Sequence, residues 1–117
     1  MEKVAAYYPQ VDIRLKQAGV TLVSSHLTLM ECLVLPLRHG QHALKQDYDD
    51  FFATQLAEVT SLSESVFRQA AEIRAQYGFR TPDALHIAAA SHSACDVFLT
   101  NDASLGRFPD IRVEVVS

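Results

Sequence analysis

Three carboxylates are predicted to lie near the carboxyl ends of strands, either just beyond a strand or in a helix that passes close to that edge. Glu31 lies in the helix that follows the β-prone run 20–23, and Asp83 lies in the first turn of a later helix. Asp102 stands just beyond the predicted strand 96–100. Ligands of open parallel sheets bind beyond the carboxyl ends of the strands, so these acids are predicted to converge. Converging carboxylates repel one another without a cation or proton, and hard oxygen ligands suit Mg²⁺ or Mn²⁺.

Each of these acids also has an ordinary structural explanation. Thr28 and Glu31 have the spacing of a capping box, in which the acid bonds back to the capping residue. Asp83 suits a first helical turn because the helix dipole favours an anion there. Asp102 follows Asn101, and Asn-Asp is common turn chemistry. The residue pattern therefore leaves both the metal-site and the structural interpretation open.

The helix that carries Asp83 has a well-specified start. Thr81 is predicted to cap it with its hydroxyl, and Pro82 suits the first helical position, where its missing N–H costs nothing. The run 84–90 that follows is apolar and rich in alanine. We expect this helix to pack closely against a sheet.

Predicted strands and helices alternate along the chain. The β-prone runs are 20–23, 57–60, 96–100 and 111–116, and the predicted helices are 4–18, about 28–40, 41–55, 63–77 and 81–93. This alternation predicts an α/β fold with a mostly parallel sheet, in which the alternating pattern of 111–116 is typical of a half-buried edge strand. The length of 117 residues predicts a single domain over residues 1–117.

The amino-acid composition narrows the classes of protein to which this chain could belong. Hydrophobic residues make up 49% of the chain and charged residues 21%, which argues against disorder. The net charge of −4 gives no indication of a basic surface for nucleic acid. It does not exclude a metal-dependent nuclease, because a bound cation offsets clustered carboxylates locally. No apolar run approaches the roughly 18 residues of a membrane span, and the N-terminus does not resemble a signal peptide, so we expect a cytoplasmic protein. Cys32 and Cys95 are then expected to be free thiols.

Several segments together resemble the PIN-domain family, and most closely the VapC-type toxin ribonucleases of bacterial type II toxin–antitoxin modules. The matching segments are Ser-Ser-His-Leu-Thr-Leu-Met-Glu at 24–31, Thr-Pro-Asp-Ala-Leu-His-Ile-Ala-Ala-Ala at 81–90 and Val-Phe-Leu-Thr-Asn-Asp at 97–102. The tail 105–113 also fits, so the resemblance covers nearly the whole chain. It implies a three-layer α/β/α fold.

The resemblance also implies an activity: a metal-dependent endoribonuclease that is the toxin of a toxin–antitoxin module. Glu31, Asp83 and Asp102 would then be catalytic and would bind Mg²⁺ or Mn²⁺. Such an ion polarises a phosphate and generates a hydroxide for attack on RNA.

The same resemblance suggests binding residues and partners. Thr100 and Asn101 would shape the site, and Arg80 and Arg107 would hold phosphates through charge-assisted hydrogen bonds. The expected partners are an RNA substrate, a cognate antitoxin and a second copy of the chain in a homodimer.

The chain departs from the family at its N-terminus. The family opens with a central strand that ends in an Asp, and nothing of that kind precedes Val20 when residues 4–18 are interpreted as helical. Asp12, in that helix, does not replace the acid. We therefore expect the N-terminal central strand to be missing and the metal site to lack one acid. The absent acid favours one alternative, a catalytically degenerate PIN-like domain that binds protein or RNA.

A separate alternative is an unrelated flavodoxin-like domain whose acids serve as caps and turns.

Overall fold

The order of strands and helices follows from a computed structural model, which describes residues 2–6 and 20–115. The predicted helix beyond residue 6, with Asp12, lies outside the described residues. The described elements are β1 (Glu2–Ala6), β2 (Val20–Ser25), α1 (His26–Arg38), α2 (His42–Thr54), β3 (Glu58–Thr60), α3 (Glu64–Tyr77), α4 (Thr81–His92), β4 (Val97–Thr100), a short 3₁₀ helix (Ala103–Arg107) and β5 (Arg112–Val115).

The described strands form one parallel sheet in the order β3-β2-β1-β4-β5. Every adjacent pair is parallel, and Val4 of β1 lies opposite Leu22 on one side and Val97 on the other. This confirms the predicted α/β fold with a mostly parallel sheet. It also places β5 at an edge, as its alternating pattern predicts. The carboxyl ends of all five strands therefore meet at the same edge of the sheet.

Apolar side chains cover both faces of the sheet. On one face Phe98 packs in a core cluster with α3 and α4, to which Val66 and Ile87 contribute fully buried side chains. On the other face Val97 and Leu99 pack with the partly buried Phe51 of α2. Alternate residues of β4 point to opposite faces, as the period of a strand requires. The alanine-rich helix α4 is buried from Ala84 to Ala90, which confirms its predicted packing against the sheet.

The helical prediction for residues 4–18 is wrong for Val4–Ala6. These residues belong to β1, which occupies the centre of the sheet, so the central strand is not missing from the fold. Glu, Lys and Ala favour helices in isolation, but pairing on both sides and burial of Val4 and Ala5 outweigh that preference. Within the described residues, the carboxyl end of β1 carries no acid, since this strand ends in Ala5 and Ala6.

Lys3 ties β1 to the amino-terminal edge of the sheet. Its backbone N–H donates to Asp96 Oδ2 over 2.8 Å, and its carbonyl accepts from the Asp96 N–H over 2.7 Å. Its ammonium group lies 3.2 Å from Glu58 Oε2 and also donates to the Ser93 carbonyl. Burial opposes ionisation of Glu58, but the hydrogen bonds from Ser93 and Lys3 outweigh it and lower the pKa of this carboxyl. These contacts connect β1 with β3 and with the end of α4.

The beginning of α1 removes one structural explanation for Glu31. Ser25 caps this helix, since its hydroxyl accepts from the Thr28 N–H over 3.4 Å. Thr28 therefore lies inside the first turn and does not form a capping box with Glu31. Glu31 lies beyond that turn, where its carboxylate is available for other contacts.

The beginning of α4 differs from the prediction in one respect. Arg80 stands at the capping position and no side chain caps the helix, whereas Pro82 lies in the first turn as expected. The Thr81 hydroxyl instead accepts from Arg74 Nε over 3.2 Å, which connects α4 to α3.

Within the described part of the chain, no helix is both long and apolar enough to cross a membrane.

Cys32 and Cys95 are free thiols, as expected, and burial raises the pKa of each to about 11.

Gly78 ends α3 in the left-handed conformation, with φ of 71°. A Cβ at this position meets no atom within 4 Å but is strained by the backbone conformation itself. We expect Gly78→Ala to lower the free energy of unfolding by about 1 kcal/mol in urea titrations. Gly106→Ala is the matched control, because Gly106 has equal space and no left-handed φ. Equal effects of the two substitutions would contradict this account.

Candidate active site

The three acids singled out in the sequence line one pocket of about 320 Å³ at the carboxyl edge of the sheet. Glu31 reaches it from α1, Asp83 from the first turn of α4, and Asp102 from the segment after β4. Thr100 and Asn101 line the same pocket. The structure thus brings together side chains that lie far apart in the sequence.

Asp102 is held by its own loop. Its backbone N–H donates to Thr100 Oγ1 over 3.1 Å, and its Oδ1 accepts from the Ser104 N–H over 2.9 Å and from the Ser104 hydroxyl over 2.7 Å. These bonds cap the 3₁₀ helix, so the predicted turn role is real. The hydroxyl and N–H of Ser104, together with the charge of Arg80, hold the pKa of Asp102 below its usual value. Asp102 is therefore ionised at neutral pH.

Asp83 lies at the wall of the pocket and has a cationic neighbour. Its side chain is 17% exposed, and its Oδ2 accepts from Arg80 Nε over 3.3 Å. Arg80 itself is 80% exposed and lines the pocket. The guanidinium therefore lies beside Asp83 in the pocket, and the phosphate-binding role that the family resemblance implies for it stays a prediction.

Arg107 lies elsewhere. Its guanidinium carbon stands 4.3 Å above the centre of the Phe79 ring, and Arg107 does not line the pocket of the acids. A cation stacks favourably on an aromatic face, and this contact holds the side chain against the core. Arg107 therefore lies apart from Arg80, Thr100 and Asn101 in this structure, and its role in phosphate binding stays a prediction.

His86 is a member of the pocket that sequence reasoning missed. Its side chain is 8% exposed, and its Nε2 lies 2.8 Å from Glu31 Oε1. Asp83 and His86 are three residues apart on α4, so they share one face of the helix. The spacing of three residues from Asp83 is the sequence signal that could have pointed to His86. The contact of His86 with Glu31 joins two different helices, so no local sequence pattern predicts it.

The side chains that line the pocket are of types that bind divalent cations, although they do not converge on a single position. In the described ranges 2–6 and 20–115, no three His, Cys, Asp or Glu side chains approach closely enough to hold a metal ion. One oxygen of each pocket carboxylate bonds to a neighbour: His86, Arg80 or Ser104. Mg²⁺ commonly takes only one or two carboxylates and keeps several waters, and carboxylate and carbonyl oxygens are its preferred ligands. Glu31, Asp83 and Asp102 therefore supply a suitable donor set.

Comparison with known families identifies the class of protein. The sequence matches the family described as the PIN domain over residues 9–111. This chain therefore belongs to the PIN-domain family, which confirms the resemblance seen in its motifs.

Solved structures show the same fold. A chain of DNA-bound VapBC from Salmonella typhimurium matches with a TM-score of 0.72 and 17% identity, covering 98% of each chain. A chain of VapBC2 from Rickettsia felis, bound to a promoter DNA fragment, matches with a TM-score of 0.71 and 15% identity, covering 96% of this chain and 98% of that one. VapBC-5 from Mycobacterium tuberculosis, a member of the VapBC family of toxin–antitoxin systems, matches with a TM-score of 0.66 and 18% identity. The match covers 99% of this chain and 98% of that one. A search of curated proteins found no significant match.

Proposed function

We propose that this chain is a metal-dependent endoribonuclease of the PIN type and the toxin of a toxin–antitoxin pair. The observation that carries the proposal is the convergence of Glu31, Asp83 and Asp102, from three separate elements, on one pocket at the carboxyl edge of the sheet. Membership of the PIN family and the VapBC complexes with this fold support it. In this proposal the protein acts in the cytoplasm.

The pocket acids would hold Mg²⁺ or Mn²⁺. When bound, the cation supplies a Lewis acid for the phosphate and lowers the pKa of a bound water. Asp102 would contribute a carboxylate whose pKa the hydrogen bonds from Ser104 lower further. The segment from Thr100 to Asp102 fixes the position of this acid through the bond from the Asp102 N–H to the Thr100 hydroxyl.

Arg80 is proposed to bind the RNA phosphate. A guanidinium presents its donors as a planar fork that matches phosphate oxygens. The Arg80 side chain is exposed, so it is accessible to an incoming RNA strand. The hydrogen bond that its Nε donates to Asp83 holds it at the pocket. Because the chain as a whole carries a net charge of −4, recognition of RNA would depend on this local charge and on the cation.

An exposed apolar face of α1 supports a protein partner. Met30, Val34 and Leu37 are 55%, 40% and 59% exposed and recur at helical spacing on one side of this helix. They lie close in sequence to Glu31, which lines the pocket. We propose that the cognate antitoxin covers this face, and that the toxin itself forms a homodimer.

Removal of the metal tests the proposed activity. We expect the purified chain to cleave a mixed-sequence RNA in Mg²⁺ or Mn²⁺, to lose that cleavage in EDTA, and to recover it when excess Mn²⁺ is added. The measurement is the loss of full-length RNA on a denaturing gel. Cleavage that persists in EDTA would contradict a metal-dependent mechanism and would indicate a contaminating nuclease.

One observation favours a second candidate, a PIN domain that binds without cutting. The described strand β1 ends in Ala5 and Ala6, so it contributes no carboxylate where the family has an Asp. A chain of this kind would bind RNA or a protein partner and leave the RNA intact in every metal. The same cleavage experiment, performed on chain shown to be folded by circular dichroism, separates the two candidates.

A further inference from the structure

The contact between His86 and Glu31 joins a buried ring to an exposed carboxylate. The His86 side chain is 8% exposed and Glu31 is 41% exposed, and their Nε2 and Oε1 atoms lie 2.8 Å apart. His86 is fixed within α4 between the buried residues Leu85 and Ile87. Glu31 is a long, flexible side chain on the surface of α1. The buried partner therefore sets the position of the exposed one.

The chemistry of the two groups fixes the direction of the hydrogen bond. An ionised carboxylate only accepts hydrogen bonds, so His86 Nε2 must donate to it. This bond uses Oε1 and leaves Oε2 of Glu31 available to another partner. Asp83 and His86 share one face of α4, so the bond also holds the Glu31 carboxylate in the pocket that Asp83 lines.

We propose that His86 is a positioning residue: it holds Glu31 in the pocket so that this carboxylate can bind the divalent cation. The inference rests on the proposed function. Without the donor, Glu31 would distribute among solvent-exposed rotamers, and cation binding would have to order it again. Outer-shell hydrogen-bond partners of metal ligands typically contribute about 10–100-fold to metal affinity.

Two substitutions of His86 separate the donor from the volume of the ring. His86→Leu fills similar space and removes the donor, whereas His86→Gln retains an N–H at a comparable reach. We expect His86→Leu to weaken Mn²⁺ binding about 10–100-fold, measured from the free Mn²⁺ signal in electron paramagnetic resonance. His86→Gln is expected to recover most of that loss. Circular dichroism and thermal unfolding confirm that each variant is folded, and His86→Met replaces the leucine variant if the latter does not fold.

A double-mutant cycle tests whether His86 acts through Glu31. In a Glu31→Ala background, we expect His86→Leu to have no further effect on Mn²⁺ affinity. Equal Mn²⁺ affinity of wild type and His86→Leu, a glutamine variant as weak as the leucine variant, or a full effect of His86→Leu in the absence of Glu31 would each overturn the inference while the nuclease proposal stands. A folded wild-type chain that neither binds Mn²⁺ nor cleaves RNA would overturn both.

Discussion

Asp83→Asn is expected to reduce RNA cleavage by about 10²-fold or more while the chain keeps its fold. The substitution removes one negative charge and retains nearly the same shape. A bound metal typically stabilises the transition state by several kcal/mol, and each 1.36 kcal/mol corresponds to a factor of ten in rate. As a proposed metal ligand in the first turn of α4, Asp83 is therefore expected to contribute to the rate far more than to stability.

The position of Asp83 makes this substitution informative. Its side chain is mostly buried at the pocket wall, and Arg80 donates to it. An asparagine oxygen can still accept from Arg80, so the local hydrogen bond survives and the lost charge is the main change. Cleavage rates at saturating Mn²⁺ and thermal unfolding curves are the two measurements.

Glu72→Gln is the matched control for Asp83→Asn. Glu72 is an exposed acid on α3 and does not line the pocket. We expect its substitution to leave the cleavage rate within about twofold of wild type, because surface changes away from special features have small effects. A cleavage rate of Asp83→Asn equal to that of Glu72→Gln would remove Asp83 from the catalytic machinery.

Phe98→Ala is expected to lower the free energy of unfolding by about 3–5 kcal/mol, the usual cost of removing a buried aromatic side chain. Phe98 is 1% exposed in the core cluster that joins the sheet to α3 and α4. It lies opposite Ala5 of β1 and Val113 of β5 in the sheet. The small neighbour at position 5 is poorly able to fill the cavity that the alanine would leave. Guanidinium titrations measure the effect.

Val115→Ala provides the comparison for Phe98→Ala. Val115 ends the edge strand β5 and is 51% exposed, so we expect a change of less than about 0.5 kcal/mol. A loss of under about 1 kcal/mol for Phe98→Ala would contradict the placement of this ring in the core.

Much of the fold can be predicted from sequence because its signals are local. The β-prone run that becomes β2 is followed by serines, one of which caps α1, and Gly78 ends α3 in the conformation that glycine favours. The apolar run of β4 is buried on both faces, as its composition suggests. Asp83 and Asp102 reach one pocket because the first turn of α4 and the end of β4 lie at the same edge of the sheet.

The features that the sequence did not reveal depend on contacts between distant residues. β1 consists mainly of helix-favouring residues and becomes a strand because β2 and β4 pair with it on both sides. Glu31 matches a capping box, but its partner in the fold is His86, 55 positions away. Arg107 is an unremarkable cation in the sequence and stacks on Phe79 only after the chain has folded.

A crystal grown with Mn²⁺ tests most directly whether the pocket at the carboxyl edge is a metal site. We expect an anomalous difference peak in the pocket, from an ion that at least one of Glu31, Asp83 and Asp102 ligates directly and the others ligate directly or through water. The peak should disappear in Asp83→Asn crystals grown at the same Mn²⁺ concentration. A well-ordered pocket without a peak at millimolar Mn²⁺, or Mn²⁺ bound only at other surfaces, would contradict the account.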